Sequence, residues 1–211
     1  MSEVKIHNIF PISIFQSNIG VDKKIKRQLI DEAYDFIYQN GVKNGSTTVD
    51  KYILNKDKYK SLTNKILDKI SFVIYNTYTI DRKLKFFITN SWCVKHEKGD
   101  IAELHHHNNC IFSGVYYFQT PKNSGDIIFT SKDNIFSNTL SIPTDQNLHE
   151  HKIKVDEGTL LLFPSHLPHR TEVSESNKHR YSLAFNVFFS GEIGSNTGLN
   201  KLILWIFTKI F

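Results

Sequence analysis

At 211 residues, with 40% hydrophobic and 13% aromatic side chains, the chain can bury one good core, and two domains would be cramped. Charged residues make up 22% and no long low-complexity tract separates them, which excludes global disorder. The net charge of +5 comes from scattered lysines rather than a basic block, which argues for solvated lysines and against a nucleic-acid partner.

The opening Met1-Ser2-Glu3-Val4-Lys5 begins no signal peptide. Residues 8–18 partly alternate apolar and polar side chains after Pro11, which predicts an edge strand, where a proline is tolerated. From Asp22 to Gln39 the apolar positions Ile25, Leu29, Ile30, Ala33 and Ile37 recur at helical spacing, and Gly41 supplies a stop. A second helix is expected from about Asp57, as N-cap, to Thr79, with Leu62, Ile66, Ile70, Val73 and Ile74 along one stripe.

After Ile80 the texture changes to short segments rich in β-branched and aromatic residues, separated by Gly, Asn, Asp and Pro turns. The expected strands are Lys85–Ile88, Ser91–Lys95, Leu104–His107, Ile111–Gln119, Asp126–Thr130, Lys152–Val155, Thr159–Phe163, His169–Val173 and Arg180–Phe189. Strands at this spacing behind two helices predict a mainly β fold, a double-sheet jelly roll of the cupin-like kind. The whole chain, 1–211, then reads as one domain, with a helical part at about 20–80 and a jelly-roll core at about 84–190. Ser131–His149 is polar and aperiodic and is expected to form a loop over one mouth of the roll.

Cys93 and Cys110 have no metal or redox spacing and read as thiols of a reducing compartment, so a cytoplasmic location is expected. The apolar run Leu199–Phe211 carries Lys201 and Lys209 and is shorter than the roughly 20 apolar residues of a membrane span, so it is expected to dock on the fold.

The chemistry concentrates at His105-His106-His107. Alternate side chains of an extended segment share a face, so His105 and His107 project together and His106 points away. Two imidazoles make half of a metal site, and His169, in Leu167-Pro168-His169, is the best candidate to complete it. Neutral imidazole suits Fe, Zn, Cu and Ni alike, so the ligands alone do not choose the metal. His149 and His151 form a rival pair, and Glu103 is a candidate carboxylate ligand on the face of His105.

Eleven positions beyond His169 comes Arg180, with Ser182, Ala184 and Asn186 on its face of a strand and Tyr181, Leu183, Phe185 and Val187 on the other. A guanidinium pointing into the roll is costly unless something anionic meets it, and its planar fork matches a carboxylate. Ser182 and Tyr117 can each add a hydroxyl, and Asn186 is a further candidate for the same pocket. A redox metal at one end and this clamp at the other fit a short dicarboxylate that chelates the metal.

At these residues the sequence resembles the 2-oxoglutarate/Fe(II)-dependent dioxygenases, particularly an oxygenase branch found in marine bacteria and phages. The resemblance is carried by Ser91-Trp92, Gly99-Asp100, His105-x-His107, Ser113-Gly114-Val115-Tyr116-Tyr117, Phe163-Pro164-Ser165, Leu167-Pro168-His169 and Arg180-x-Ser182-x-Ala184-Phe185-Asn186, in that order. Ile9-Phe10-Pro11-Ile12 is similar to that branch's first strand.

The resemblance implies a double-stranded β-helix and the use of Fe(II), 2-oxoglutarate and O2. It further implies oxidative decarboxylation of 2-oxoglutarate to succinate and CO2, coupled to hydroxylation of a substrate C–H bond. His105, His107 and His169 would hold iron, Arg180 and Ser182 would grip the distal carboxylate of 2-oxoglutarate, and Tyr117 would assist. One departure is that the wider superfamily places Asp or Glu where His107 stands. From the residues alone two other readings stay open, a three-His cupin-type metalloenzyme that does not use 2-oxoglutarate and a non-catalytic metal- or carboxylate-binding module. Nothing in the sequence names the substrate.

Overall fold

The computed structural model describes residues 5, 11–39, 41–131, 148–194 and 200–205. The expected loop at 131–149, the start of the expected first strand and the end of the C-terminal run lie largely outside them. Among the described residues the chain runs through β1 (Phe15–Asn18), α1 (Lys23–Ile30), β2 (Tyr34–Gln39), β3 (Val42–Thr48) and α2 (Lys60–Phe72). It continues through β4 (Lys85–His96), β5 (Phe112–Gln119), β6 (Ile127–Thr130), β7 (Glu150–Ile153), β8 (Thr159–Pro164), β9 (His169–Thr171), β10 (Arg180–Ile193) and β11 (Leu202–Leu204).

The helical pattern at 22–39 holds only for its first half. Asp22 caps α1 by accepting hydrogen bonds from the Lys24 and Ile25 amides at 2.8 and 2.9 Å. The helix stops at Asp31, and the Tyr34 hydroxyl donates to the Leu29 carbonyl at 2.6 Å, satisfying one of the free acceptors at its end. From Tyr34 the chain is a strand, paired with β3 across a turn at Gly41, whose φ of +78° suits glycine. The aromatic alternation Tyr34, Phe36, Tyr38 was the competing signal, and cross-strand pairing outweighs the coincidental helical spacing of Ala33 and Ile37. The part expected to be helical thus contributes two strands to the sheet.

The second expected helix is real, with two adjustments. Asp57 opens a short 3-10 turn, Asp57–Tyr59, rather than capping the α-helix, and α2 ends in a π-helical turn, Val73–Thr77. Leu62, Ile66, Ile70, Val73 and Ile74 are all buried, as their stripe predicts. The expected strands at 85–88 and 91–95 are one continuous strand, β4, and Leu104–His107 is not a strand.

The strands form two sheets. The larger has the order β1-β8-β5-β10-β4-β3-β2, with β11 added to the far end of β10, and the smaller has the order β7-β6-β9. β1 is an edge strand and Leu202–Leu204 does dock on the fold, both as expected. Alternation then divides the large sheet into two faces. Tyr116, Phe118, Leu160, Leu162, Leu183, Phe185 and Val187 pack against α2 and the 3-10 turns before it. Val115, Tyr117, Leu161 and Phe163 pack instead with Ile127 and Phe129 of the small sheet. The molecule is a double-stranded β-helix, and its inner space lies between the two sheets.

Gly114 shows how tightly the outer face is packed. It pairs with Phe185 across the sheet, and a Cβ at this position would sit 2.2 Å from the Phe185 ring. Gly114→Ala is therefore expected to cost about 1–3 kcal/mol of stability through overpacking. Urea unfolding measures it; an unchanged midpoint would show that the Phe185 ring can move aside.

Candidate metal centre and anion pocket

The segment that carries His105 and His107 is irregular, yet its backbone is pinned. The His105 amide donates to the His169 carbonyl at 3.0 Å and the His169 amide returns the bond to the His105 carbonyl at 2.9 Å. The His107 amide donates to the Ser165 carbonyl at 2.9 Å, and the Leu167 amide closes a turn on the Pro164 carbonyl at 3.0 Å. The Pro164–His169 turn thus holds both ends of the loop that bears His105 and His107. Gly99 and Asp100 secure its approach: Gly99 has φ +87°, and the buried Asp100 carboxylate accepts from the Glu97 amide at 2.8 Å.

This brings His105, His107 and His169 together. One ring nitrogen from each lies within 4.8 Å of those of the other two, and the ring centroids are 4.3 to 5.2 Å apart. His105 Nδ1 is 2.6 Å from the Glu103 carbonyl oxygen and His169 Nδ1 is 3.0 Å from the Leu167 carbonyl oxygen. A carbonyl can only accept, so both rings carry their proton on Nδ1 and present the Nε2 lone pair, the arrangement by which outer hydrogen bonds orient metal-binding imidazoles. Burial, with the neighbouring imidazoles adding to it, lowers His107 to about 4 and His169 to about 3, so both are neutral and free to coordinate at neutral pH. No carboxylate joins the group among the described residues, Glu103 included. His149 and His151 line a separate open groove of about 860 Å³.

These shifts make a pH prediction. Unfolded imidazoles titrate near 6.5, so between 6.5 and about 3 the unfolded chain binds more protons than the folded one, and stability falls as pH falls through that window. Glu32 and Glu97, held at about 2 by lysine partners, add acid sensitivity only below their ordinary value of 4.5. The metal-free protein is expected to show a lower urea midpoint at pH 5 than at pH 7, and His169→Gln is expected to shrink that difference. Equal midpoints in the unsubstituted protein would contradict it.

The three imidazoles share a cavity of about 90 Å³ with Arg180, Ser182 and Tyr117. That is far below the roughly 300–1,000 Å³ of sites for drug-sized ligands, so it suits a small acid. Arg180 is 2% exposed and opposes His96 in the β4–β10 pairing. Its Nη1 donates to the Ser124 and Gly125 carbonyls at 3.2 and 2.8 Å, and its Nη2 to His96 Nδ1. Among the described residues no carboxylate is in ion-pair contact with it. Ser182 and Tyr117 are cross-strand neighbours beside it, and burial raises the Tyr117 hydroxyl to about 12, so it stays a neutral donor.

Asn186 is on the same strand face but does not line this cavity; its side-chain oxygen accepts from Ser113 Oγ at 2.8 Å, and Ser113 in turn bonds Ser165. Trp92 lines the cavity beside the His107 ring, with the ring centroids 5.9 Å apart. His96 escaped sequence reasoning, although it continues the alternation of Trp92 and Val94 into the cavity. The Ser124 and Gly125 carbonyls are backbone groups, and no side-chain pattern announces them.

Comparisons with known proteins bear on this geometry. Residues 90–186 match the model of the family described as "Putative 2OG-Fe(II) oxygenase". No curated protein matches by sequence. An oxidoreductase of the 2OG-Fe(II) oxygenase family from Burkholderia pseudomallei superimposes with a TM-score of 0.60 at 12% identity, over 82% of this chain and 84% of that one. A Pseudomonas putida prolyl-4-hydroxylase superimposes with a TM-score of 0.56 at 14% identity, over 83% and 92%. HygX from Streptomyces hygroscopicus, solved with nickel, 2-oxoglutarate and hygromycin B, gives 0.56 at 13% identity, over 83% and 82%. The matched segment runs from β4 to β10 and includes the three imidazoles, Arg180, Ser182 and Tyr117. Over residues 90–186 the chain matches the sequence pattern of the 2OG-Fe(II) oxygenase family, and over more than four-fifths of its length it shares the fold of solved members.

Proposed function

We propose that the protein is an iron- and 2-oxoglutarate-dependent dioxygenase that hydroxylates a small-molecule or side-chain substrate. In this reading His105, His107 and His169 hold the metal, Arg180 and Ser182 bind the distal carboxylate of 2-oxoglutarate, and Tyr117 adds a hydrogen bond. The observation that carries it is the meeting, in one small cavity, of three converging imidazoles and a buried guanidinium with no acidic partner in contact among the described residues.

The residues fit the group they would hold. A divalent ion on three neutral imidazoles, together with Arg180, leaves an excess of positive charge that no protein carboxylate offsets at contact distance. A dianion balances it and offsets the cost of burying a guanidinium that has only neutral acceptors. When bound, the iron and 2-oxoglutarate supply the oxidising chemistry and consume O2. The chain's own part is to fix the Nε2 lone pairs through the Glu103 and Leu167 carbonyls, and to orient the acid with Arg180, Ser182 and Tyr117. Trp92, Phe163 and Ile127 keep bulk water from the cavity walls.

The cavity is too small for a second sizeable molecule, so the substrate approaches from the exposed side of His105. Residues 1–211 are taken as one functional unit, since the helical layer packs on the same sheet that presents Arg180. Two free cysteines support a cytoplasmic setting, and among the described residues no helix is long and apolar enough to cross a membrane.

The test is anaerobic titration of the Fe(II)-loaded protein with 2-oxoglutarate, reading the weak visible band of metal chelation, followed by succinate release in air. Both signals are expected. If neither appears, the cofactor assignment is wrong, and a three-imidazole metalloenzyme of another kind takes its place.

A further inference from the structure

We propose that His96 is a positioning residue that holds the Arg180 guanidinium toward the cofactor's distal carboxylate as a neutral acceptor. The inference rests on the reading of Arg180 given above and extends it to a residue outside the metal and anion ligands.

A guanidinium has five N–H donors. Nη1 of Arg180 is engaged by the Ser124 and Gly125 carbonyls, and one N–H of Nη2 by His96 Nδ1. That leaves Nε–H and one N–H of Nη2 without a protein acceptor among the described residues. Every hydrogen-bond partner of the buried guanidinium among the described residues is thus electrically neutral, and the Asp126 carboxylate acts on it only through space. A carboxylate in place of His96 would anchor the fork equally well, but it would cancel the charge that the incoming dicarboxylate needs.

The imidazole is held neutral by its surroundings. Burial and the adjacent Arg180 charge both push its titration well below the ordinary histidine range. With Nδ1 accepting, the proton is on Nε2, which is buried, makes no close hydrogen bond and has the Asn44 backbone as a weak acceptor. Leaving a buried donor so weakly paired is unfavourable, and a side chain chosen only to fill space would not require it. The ring occupies room that glycine leaves: Gly45 has φ +80°, which itself favours glycine, and a Cβ there would lie 2.4 Å from His96 Cδ2 and 2.6 Å from the Lys95 carbonyl oxygen. The fold therefore keeps a neutral acceptor against Arg180 at the cost of a weakly paired buried N–H.

The experiment compares His96→Gln with His96→Glu in the Fe(II)-loaded, oxygen-free protein. The two side chains have nearly the same size and can both accept a hydrogen bond; they differ in charge. Each protein is titrated with 2-oxoglutarate and with 2-oxopentanoate, which keeps the chelating 2-oxo acid head but lacks the distal carboxylate. His96→Gln is expected to bind 2-oxoglutarate close to the unsubstituted protein, whereas His96→Glu loses about tenfold to a hundredfold. Metal content and 2-oxopentanoate affinity are expected to stay the same in both.

Equal 2-oxoglutarate affinity in the two variants, or a parallel loss for both acids, overturns the positioning role and leaves His96 as packing. If the unsubstituted protein itself fails to prefer 2-oxoglutarate over 2-oxopentanoate, the fault lies with the reading of Arg180, a separate and visible result. Should the Glu variant fail to fold, His96→Leu, which removes the acceptor without adding charge, is expected to lose the same preference while keeping its metal.

Discussion

His169→Ala is expected to lose metal and turnover together. His169 is the buried member of the three imidazoles, and its backbone closes the reciprocal bridge to His105 at 2.9 and 3.0 Å. The bridge survives the substitution because it is made by main-chain atoms, so the loop carrying His105 and His107 stays in place. What disappears is the Nε2 donor oriented by the Leu167 carbonyl. Disturbing only the outer partner of a metal ligand typically costs 10- to 100-fold in affinity, so removing the ligand itself is expected to cost more than about 100-fold. Metal content after dialysis, with succinate release measured in parallel, checks this. Full metal retention with full turnover would remove His169 from the site. A space left beside Phe129 and Phe163 will also lower stability, so His169→Gln, which fills more of it, separates lost coordination from lost packing.

Arg180→Ala is expected to do the opposite: keep the metal and lose the co-substrate. Among the described residues the guanidinium is the one Lys or Arg cation lining the cavity, and truncating one partner of a buried, hydrogen-bonded charge pair costs about 2–5 kcal/mol. That corresponds to roughly 30-fold to several-thousandfold weaker 2-oxoglutarate binding. The same change strips donors from the Ser124 and Gly125 carbonyls and from His96, so some stability is lost as well. Arg180→Lys keeps a charge but cannot serve those acceptors with one planar fork, and it is expected to recover only part of the affinity. Chelation-band titration alongside metal analysis reads both quantities. Unchanged 2-oxoglutarate binding in Arg180→Ala would withdraw the carboxylate role.

How much of this was legible in the linear chain follows from which interactions are local. The α2 stripe and the alternation in β5, β8 and β10 read correctly, because a period of 3.6 or 2 is a property of neighbouring residues. The same rule failed at Tyr34–Gln39, where two periodicities overlap and only the existence of a partner strand decides between them. It failed differently at Leu104–His107: the two histidines do face one centre, but a pinned irregular loop presents them, not a strand. β3 was invisible since Val42–Thr48 is polar and takes its strand form from the pairing with β2 and β4.

By itself, then, the sequence determined the fold class, the family motifs, the inward face of the Arg180 strand and the identity of the three imidazoles. Only the tertiary structure decided that Arg180 has no acidic contact among the described residues, that His96 and two backbone carbonyls hold it instead, and that Asn186 is bonded to Ser113 outside the cavity lining. The reason is physical. Side-chain direction along a strand is set by adjacent residues, whereas a hydrogen-bond partner is chosen by whatever the fold brings alongside, here residues 55, 56 and 84 positions away in the chain.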